Sequence, residues 1–127
     1  MSYFINPVEE EQCVFLTYEG EMPPIEALAV RYEVSGLLAK KHWNRIVVDV
    51  TELRAVPRAL ELFEFARGLS SDLPRSARAA LVVRPDQVRH AKLVENIARR
   101  DGVFLTFFSD PDEATTWVKS QKPRTSL

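Results

Sequence analysis

The run Asn44-Arg45-Ile46-Val47-Val48-Asp49-Val50-Thr51 constrains this chain more than any other stretch. Its centre is apolar without polar alternation, the pattern of a strand covered on both faces, and it enters a loop through Asp49 and Thr51. In an open α/β sheet, loops at such strand ends receive ligands and partners. Residues Glu52 to Pro57 then bring no glycine-rich cradle, no nucleophile beside a base and no metal-ligand spacing. The strand therefore specifies a fold more readily than a reaction.

A chain of 127 residues suits one domain that buries its apolar surface without disulfides or a structural metal. Residues 1–121 read as that domain and 122–127 as a frayed tail. Seventeen basic and eighteen acidic side chains leave a net charge of −1, so no overall field draws in nucleic acid or an anionic membrane. Glu9, Glu10, Glu11, Glu19, Glu21 and Glu26 crowd the start, and Arg75, Arg78, Arg84, Arg89, Lys92, Arg99 and Arg100 crowd the third quarter. Both groups read as solvated faces that balance or pair weakly. No apolar run approaches the ~20 residues of a transmembrane helix, and the start lacks a basic region followed by an apolar signal core. A single cysteine, Cys13, forms no internal disulfide and fits a reducing compartment, so the expected location is the cytoplasm.

Extended segments are expected near Tyr3 to Val8 and Cys13 to Tyr18, stopped by Gly20 and Pro23-Pro24. Pro24 suits the first turn of a helix. Along it Ile25, Leu28, Ala29, Tyr32, Gly36 and Ala39 recur at spacings of three and four, which predicts the core-facing stripe. Val30, Val34, Leu37 and Leu38 fall on the other side, leaving an apolar surplus for a second helix or a partner. The helix should end near Lys40-Lys41-His42, where cations suit a C-terminus.

Pro57 opens a second expected helix, with Ala59, Leu62, Phe63, Ala66 and Leu69 inward and Leu60 and Phe65 outward beside Arg58, Glu61, Glu64 and Arg67. Ala79 to Val83 reads as another doubly buried strand. A third helix from Pro85-Asp86 faces inward through Ala91, Val94, Ile97 and Ala98. Val103 to Phe108 is the last strand, and Asp110-Pro111-Asp112-Glu113 starts a helix seated by Ala114, Trp117 and Val118.

This order of elements resembles the STAS superfamily, specifically the small stand-alone SpoIIAA-like proteins of bacteria (STAS/SEC14-like). The resemblance covers nearly the whole chain. Its segments are Ile46 to Val50 followed by Leu62-Phe63-Glu64-Phe65-Ala66, then Ala80 to Asp86, then Phe107 to Val118. It implies an α/β architecture: a single mixed β-sheet of about five strands, about four helices mainly on one face, and binding in place of catalysis. In anti-sigma-factor antagonists of that superfamily, the loop after the Asp-bearing strand presents a serine that the partner kinase phosphorylates. Here the matching stretch, Arg54-Ala55-Val56-Pro57-Arg58-Ala59, has no hydroxyl, so a phospho-switch at that site has no acceptor. Only the strand-end Asp49 and the following helix carry over.

Other reactive residues point to structure before chemistry. Asp49 lacks a fixed second carboxylate or histidine and is expected to accept backbone N–H groups at the strand end; Thr51 is the alternative phosphate acceptor, but reads first as a strand or turn residue that satisfies backbone groups. His90 borders the apolar arc of its helix and reads as a packing residue, His42 as a helix-end cation, and Cys13 as a small buried apolar group. Arg84 before a helix start suggests an anion site, but Asp86 is expected to cap the helix and occupy its N–H groups. No catalytic residue, metal or cofactor is assigned.

The expected function is a non-enzymatic binding or regulatory module that engages a protein partner or itself through apolar helix faces. Leu60, Phe65, Val30, Val34 and Leu37 are the expected contacts, and Asp49, Thr51 and Arg54 the strand-end loop. The alternatives are a carrier or sensor of a small hydrophobic or lipid-like ligand, and an enzyme that assembles partners around Asp49 in space.

Overall fold

Apolar runs of strand length, alternating with helical periods, become a five-stranded mixed sheet in the order β1-β2-β3-β4-β5. The structure is a computed structural model and describes residues 3–21, 24–54, 68, 73 and 77–120. β1 (Tyr3–Val8) and β2 (Cys13–Gly20) form an antiparallel hairpin in which Tyr3 faces Tyr18 and Val8 faces Cys13. β3 (Arg45–Leu53), β4 (Arg78–Val82) and β5 (Phe104–Phe108) add in parallel, with Val48 placed between Leu16 and Leu81. α1 (Pro24–Lys41), α2 (Val88–Arg100) and α3 (Pro111–Ser120) are the three α-helices of the described residues, α2 being preceded by a 3-10 turn at Pro85–Gln87.

The helix expected from Pro57 lies outside the described residues apart from Gly68, which is helical and buried. A Cβ on Gly68 would overlap the Arg31 guanidinium, so this glycine lets α1 come close. Leu60, Phe65 and the tail from 121 onward also lie outside the described residues.

Period-two alternation sorts the strands between two cores. Val14, Leu16, Ile46, Val48, Ala79, Leu81 and Leu105 join Val30, Val34, Leu38, Val94 and Ile97 on the face covered by α1 and α2. Cys13, Val47, Ala80 and Val82 meet Ala114 and Val118 of α3 on the other. β4 is buried at every residue, as a strand covered on both sides must be. Asp110 starts α3 as its sequence predicts, its carboxylate accepting the Asp112 N–H at 2.9 Å.

α1 is turned the opposite way from the expectation. Val30 (0% exposed), Val34 (2%) and Leu38 (0%) are fully buried against the sheet, with Leu37 partly buried beside them. Ile25 (80% exposed), Leu28 (38%) and Tyr32 (60%) face outward, together with Ala29, Gly36 and Ala39. Both stripes are apolar, so periodicity alone does not choose between them. The deciding factor is bulk: Val30, Val34 and Leu38 fill the space over the sheet, which Ala29, Gly36 and Ala39 would leave empty. Gly36 gains nothing from this arrangement, since a Cβ there meets no atom within 4 Å, while glycine in a helix interior costs about 1 kcal/mol relative to alanine.

At the opposite end of the sheet from its strand-end loops, the β1–β2 turn is tied down by ion pairs from Lys41 to Glu9 (2.5 Å) and from Lys119 to Glu11 (2.6 Å). Arg45 adds a bond to the Glu11 carbonyl at 2.8 Å. Part of the acidic cluster at the chain start is thus matched within the fold.

Candidate functional site

Two features of the described residues present chemistry outward: the C-terminal edge of β3 and β4, and the exposed face of α1. At the strand edge, Asp49 bends its carboxylate back along its own chain. Its Oδ1 accepts the Thr51 backbone N–H at 2.9 Å and the Thr51 hydroxyl at 2.6 Å, the local turn expected of an aspartate at a strand end. Thr51 is thereby engaged as well. Arg54 donates its backbone N–H to the Gly20 carbonyl at 2.9 Å, closing the ends of β2 and β3 together while its side chain stays exposed.

Arg84 and Gln87 complete this junction. Arg84 Nη1 donates to the Leu53 carbonyl at 2.9 Å and also to the Thr51 carbonyl, while Nε and Nη2 grip Asp86 at 2.9 and 3.2 Å. The Arg84 hydrogen bond holds the Asp86 carboxyl below the ordinary carboxylate range, and Asp86 in turn favours the charged guanidinium. Gln87 is buried and satisfies both of its amide ends: Oε1 accepts the Arg84 backbone N–H and Nε2 donates to the Val50 carbonyl, each at 2.8 Å.

The expected role of Asp86 as the helix cap is therefore corrected. Its carboxylate pairs with Arg84, and Gln87 reaches back to the N–H that opens the 3-10 turn. The reason is geometric, because the Arg84 side chain that bonds the Thr51 and Leu53 carbonyls passes within reach of Asp86. Gln87 is the residue that sequence reasoning missed. A glutamine three positions after Arg84, the residue before the turn, with proline between, carries the spacing of a capping partner.

Asp49, Thr51, Arg84, Asp86 and Gln87 thus converge, and each bonds to another protein group through at least one polar atom. Cys13 is fully buried, and burial pushes its thiol up to about 12, far from a nucleophile's range. His90 is half-buried, with Nδ1 enclosed and without a hydrogen-bond partner among the described residues. No group of three metal-ligating side chains gathers among the described residues, and no described helix is long and apolar enough to cross a membrane.

Of the expected contact residues, Val30 and Val34 lie in the core and Leu37 is partly buried against it, so the two valines are out of a partner's reach in the folded chain. Leu60 and Phe65 lie outside the described residues. The outward apolar surface of α1 is instead Ile25, Leu28 and Tyr32.

No protein-family model matches the chain, and no curated protein matches it. Solved structures do. The crystal structure of an anti-sigma factor antagonist from Mycobacterium paratuberculosis aligns with a TM-score of 0.66 over 94% of this chain and 96% of that one, at 14% identity. The NMR structure of the protein TM1081 aligns with a TM-score of 0.62 over 92% of this chain and 88% of that one, at 17% identity. With the hairpin followed by three parallel strands and helices on both faces, the chain shares the fold of that anti-sigma factor antagonist.

Proposed function

We propose that the chain is a non-enzymatic regulatory module that binds a protein partner through the outward face of α1. The observation that carries this reading is the exposure of Ile25, Leu28 and Tyr32 on one helix face, while Asp49, Thr51, Arg84 and Gln87 at the strand edge bond within the fold. Covering each of those side chains would contribute ~1.5–3 kcal/mol by transfer from water, enough to anchor a contact. The fold it shares with an anti-sigma factor antagonist favours a protein as the bound species. The matching loop offers no hydroxyl between Arg54 and Ala59, so binding here is governed by something other than phosphorylation of that loop.

Crosslinking mass spectrometry in cells that make the protein tests the reading. Crosslinks to protein should map beside Ile25, Leu28 and Tyr32 and be lost in Tyr32→Glu while its melting curve is kept. Crosslinks that avoid α1, or turnover of a substrate that depends on Asp49, would overturn it.

A further inference from the structure

The geometry points to a second copy of this chain as the occupant of the α1 face, seated antiparallel about a two-fold axis beside Tyr32. This deepens the proposed function and rests on the same surface. At ~100° per residue, Ile25, Leu28, Ala29, Tyr32, Gly36 and Ala39 share one outward arc of α1. Along that arc size is polarised: Ile25 and Leu28 stand at the N-terminal end, Gly36 and Ala39 at the C-terminal end. An isologous pair centred on Tyr32 sets Ile25 against Ala39 and Leu28 against Gly36 of the other copy, so these two large side chains each meet a small one while Tyr32 meets its own copy at the axis. A parallel pair would instead set Ile25 on Ile25 and leave Gly36 facing Gly36 across a gap.

Gly36 supplies an independent reason. Its position needs no glycine within the subunit, because a Cβ there meets no atom within 4 Å, and it bears no positive φ. A neighbouring helix approaching at that point would use the space. Charge agrees with the same orientation. Exposed Glu19 and Glu21 and the first-turn Glu26 lie at the N-terminal end of α1, and exposed Lys40 lies in its last turn. Antiparallel packing brings the acidic end of each copy to the basic end of the other and opposes the helix dipoles. Glu33 falls beside its own copy near the axis, a like-charge contact that Glu33→Gln would relieve.

One helix pair is small for a permanent interface, so the dimer exchanges with monomer and its population follows concentration. Sedimentation equilibrium of the purified full chain should show a reversible monomer–dimer mixture that tightens in Glu33→Gln and loosens with salt. Tyr32→Glu and Gly36→Leu should each raise the dissociation constant at least about tenfold while the melting curve stays cooperative. For orientation, the single native thiol Cys13 is buried and silent, so introduced thiols report alone. Under a mild thiol oxidant, Ile25→Cys mixed with Ala39→Cys should form the mixed disulfide, whereas Ile25→Cys alone should not pair with itself. A monomer at every concentration, a dimer indifferent to Gly36→Leu, or self-pairing of Ile25→Cys would overturn the proposal. A strict monomer sinks self-pairing only; binding to a different protein through α1 is read separately from the cellular crosslinks.

Discussion

Gln87 offers the sharpest test of the strand-edge junction, because its side chain is buried and both ends of its amide are matched to backbone groups. Gln87→Leu keeps the volume and removes two neutral hydrogen bonds, each worth about 1 kcal/mol net, and it leaves the Arg84 N–H and Val50 carbonyl seeking water. The expected loss is about 2 kcal/mol, and more where water does not reach them. For a domain of this size that lowers Tm by roughly 6–10 °C, and it moves the urea midpoint down by roughly 1 M. Gln87→Glu separates the two bonds. Its carboxylate still accepts from Arg84, but it sets a second acceptor against the Val50 carbonyl, which favours the protonated form and raises the folded pKa above the ordinary ~4.3. The sign follows: a group with a raised folded pKa supports the fold below its unfolded pKa and loses that support as pH rises through the folded value. Gln87→Glu should therefore approach the wild type in stability near pH 4 and fall well below it at pH 7, while Gln87→Leu stays equally impaired at both. Urea melts at the two pH values decide the matter. A Gln87→Leu midpoint within about 0.2 M of the parent, or a pH-independent Gln87→Glu, would refute the bonding described here.

The inverted α1 predicts a paired contrast in thermal melts: Val34→Ala should cost about 1–3 kcal/mol through loss of buried volume, whereas Ile25→Ala should change stability by no more than about 0.5 kcal/mol. Cys13, with its thiol buried and pushed up to about 12, should resist a thiol-reactive dye in the native protein at pH 8 and react fully once denatured; fast native labelling would contradict its placement. Because Arg84 lowers the folded pKa of Asp86, its contribution is present above the ordinary value of 3.8 and is lost as pH falls through the folded value. Asp86→Asn should thus lie below the parent at neutral pH and converge with it in acid, as stability followed by circular dichroism would show. His90→Leu should hold or raise Tm, since it removes an enclosed nitrogen that lacks a hydrogen bond among the described residues.

Much of the architecture is legible in the residues because strong local signals agree with one another. Doubly apolar runs mark β3 and β4 as interior strands, Pro24 and Asp110-Pro111 mark helix starts, and the inward set Ala91, Val94, Ile97 and Ala98 of α2 is the set found buried. α2 is readable because its other face carries Arg89, Lys92, Asn96 and Arg100, so one orientation alone buries apolar surface. α1 has no such contrast. With apolar residues all round, its orientation depends on which stripe matches the curved surface of Leu16, Tyr18, Ile46 and Val48, a property of tertiary shape that periodicity does not encode. The small residues of the outward stripe were the available signal, since a core-facing row of Ala29, Gly36 and Ala39 would have underfilled the space above the sheet.

The strand edge was hidden for a different reason. Asp49 and Thr51 are two residues apart, and their mutual bond follows from local spacing, but Arg84 and Gln87 reach them only because parallel pairing sets Asp49 beside Val82. Once that register is made, the three carbonyls of β3 at Val50, Thr51 and Leu53 all take donors from Arg84 and Gln87. In a sheet whose carboxyl edge is free, that is where a ligand finds unpaired donors and acceptors. Among the described residues the edge carbonyls at Val50, Thr51 and Leu53 are engaged by their own neighbours, and α1 leaves an apolar face exposed. Apolar helix surface has no directional chemistry to offer a small polar substrate, but it fits another helix by shape, and the large-to-small gradient from Ile25 to Ala39 makes α1 complementary to α1 run the other way.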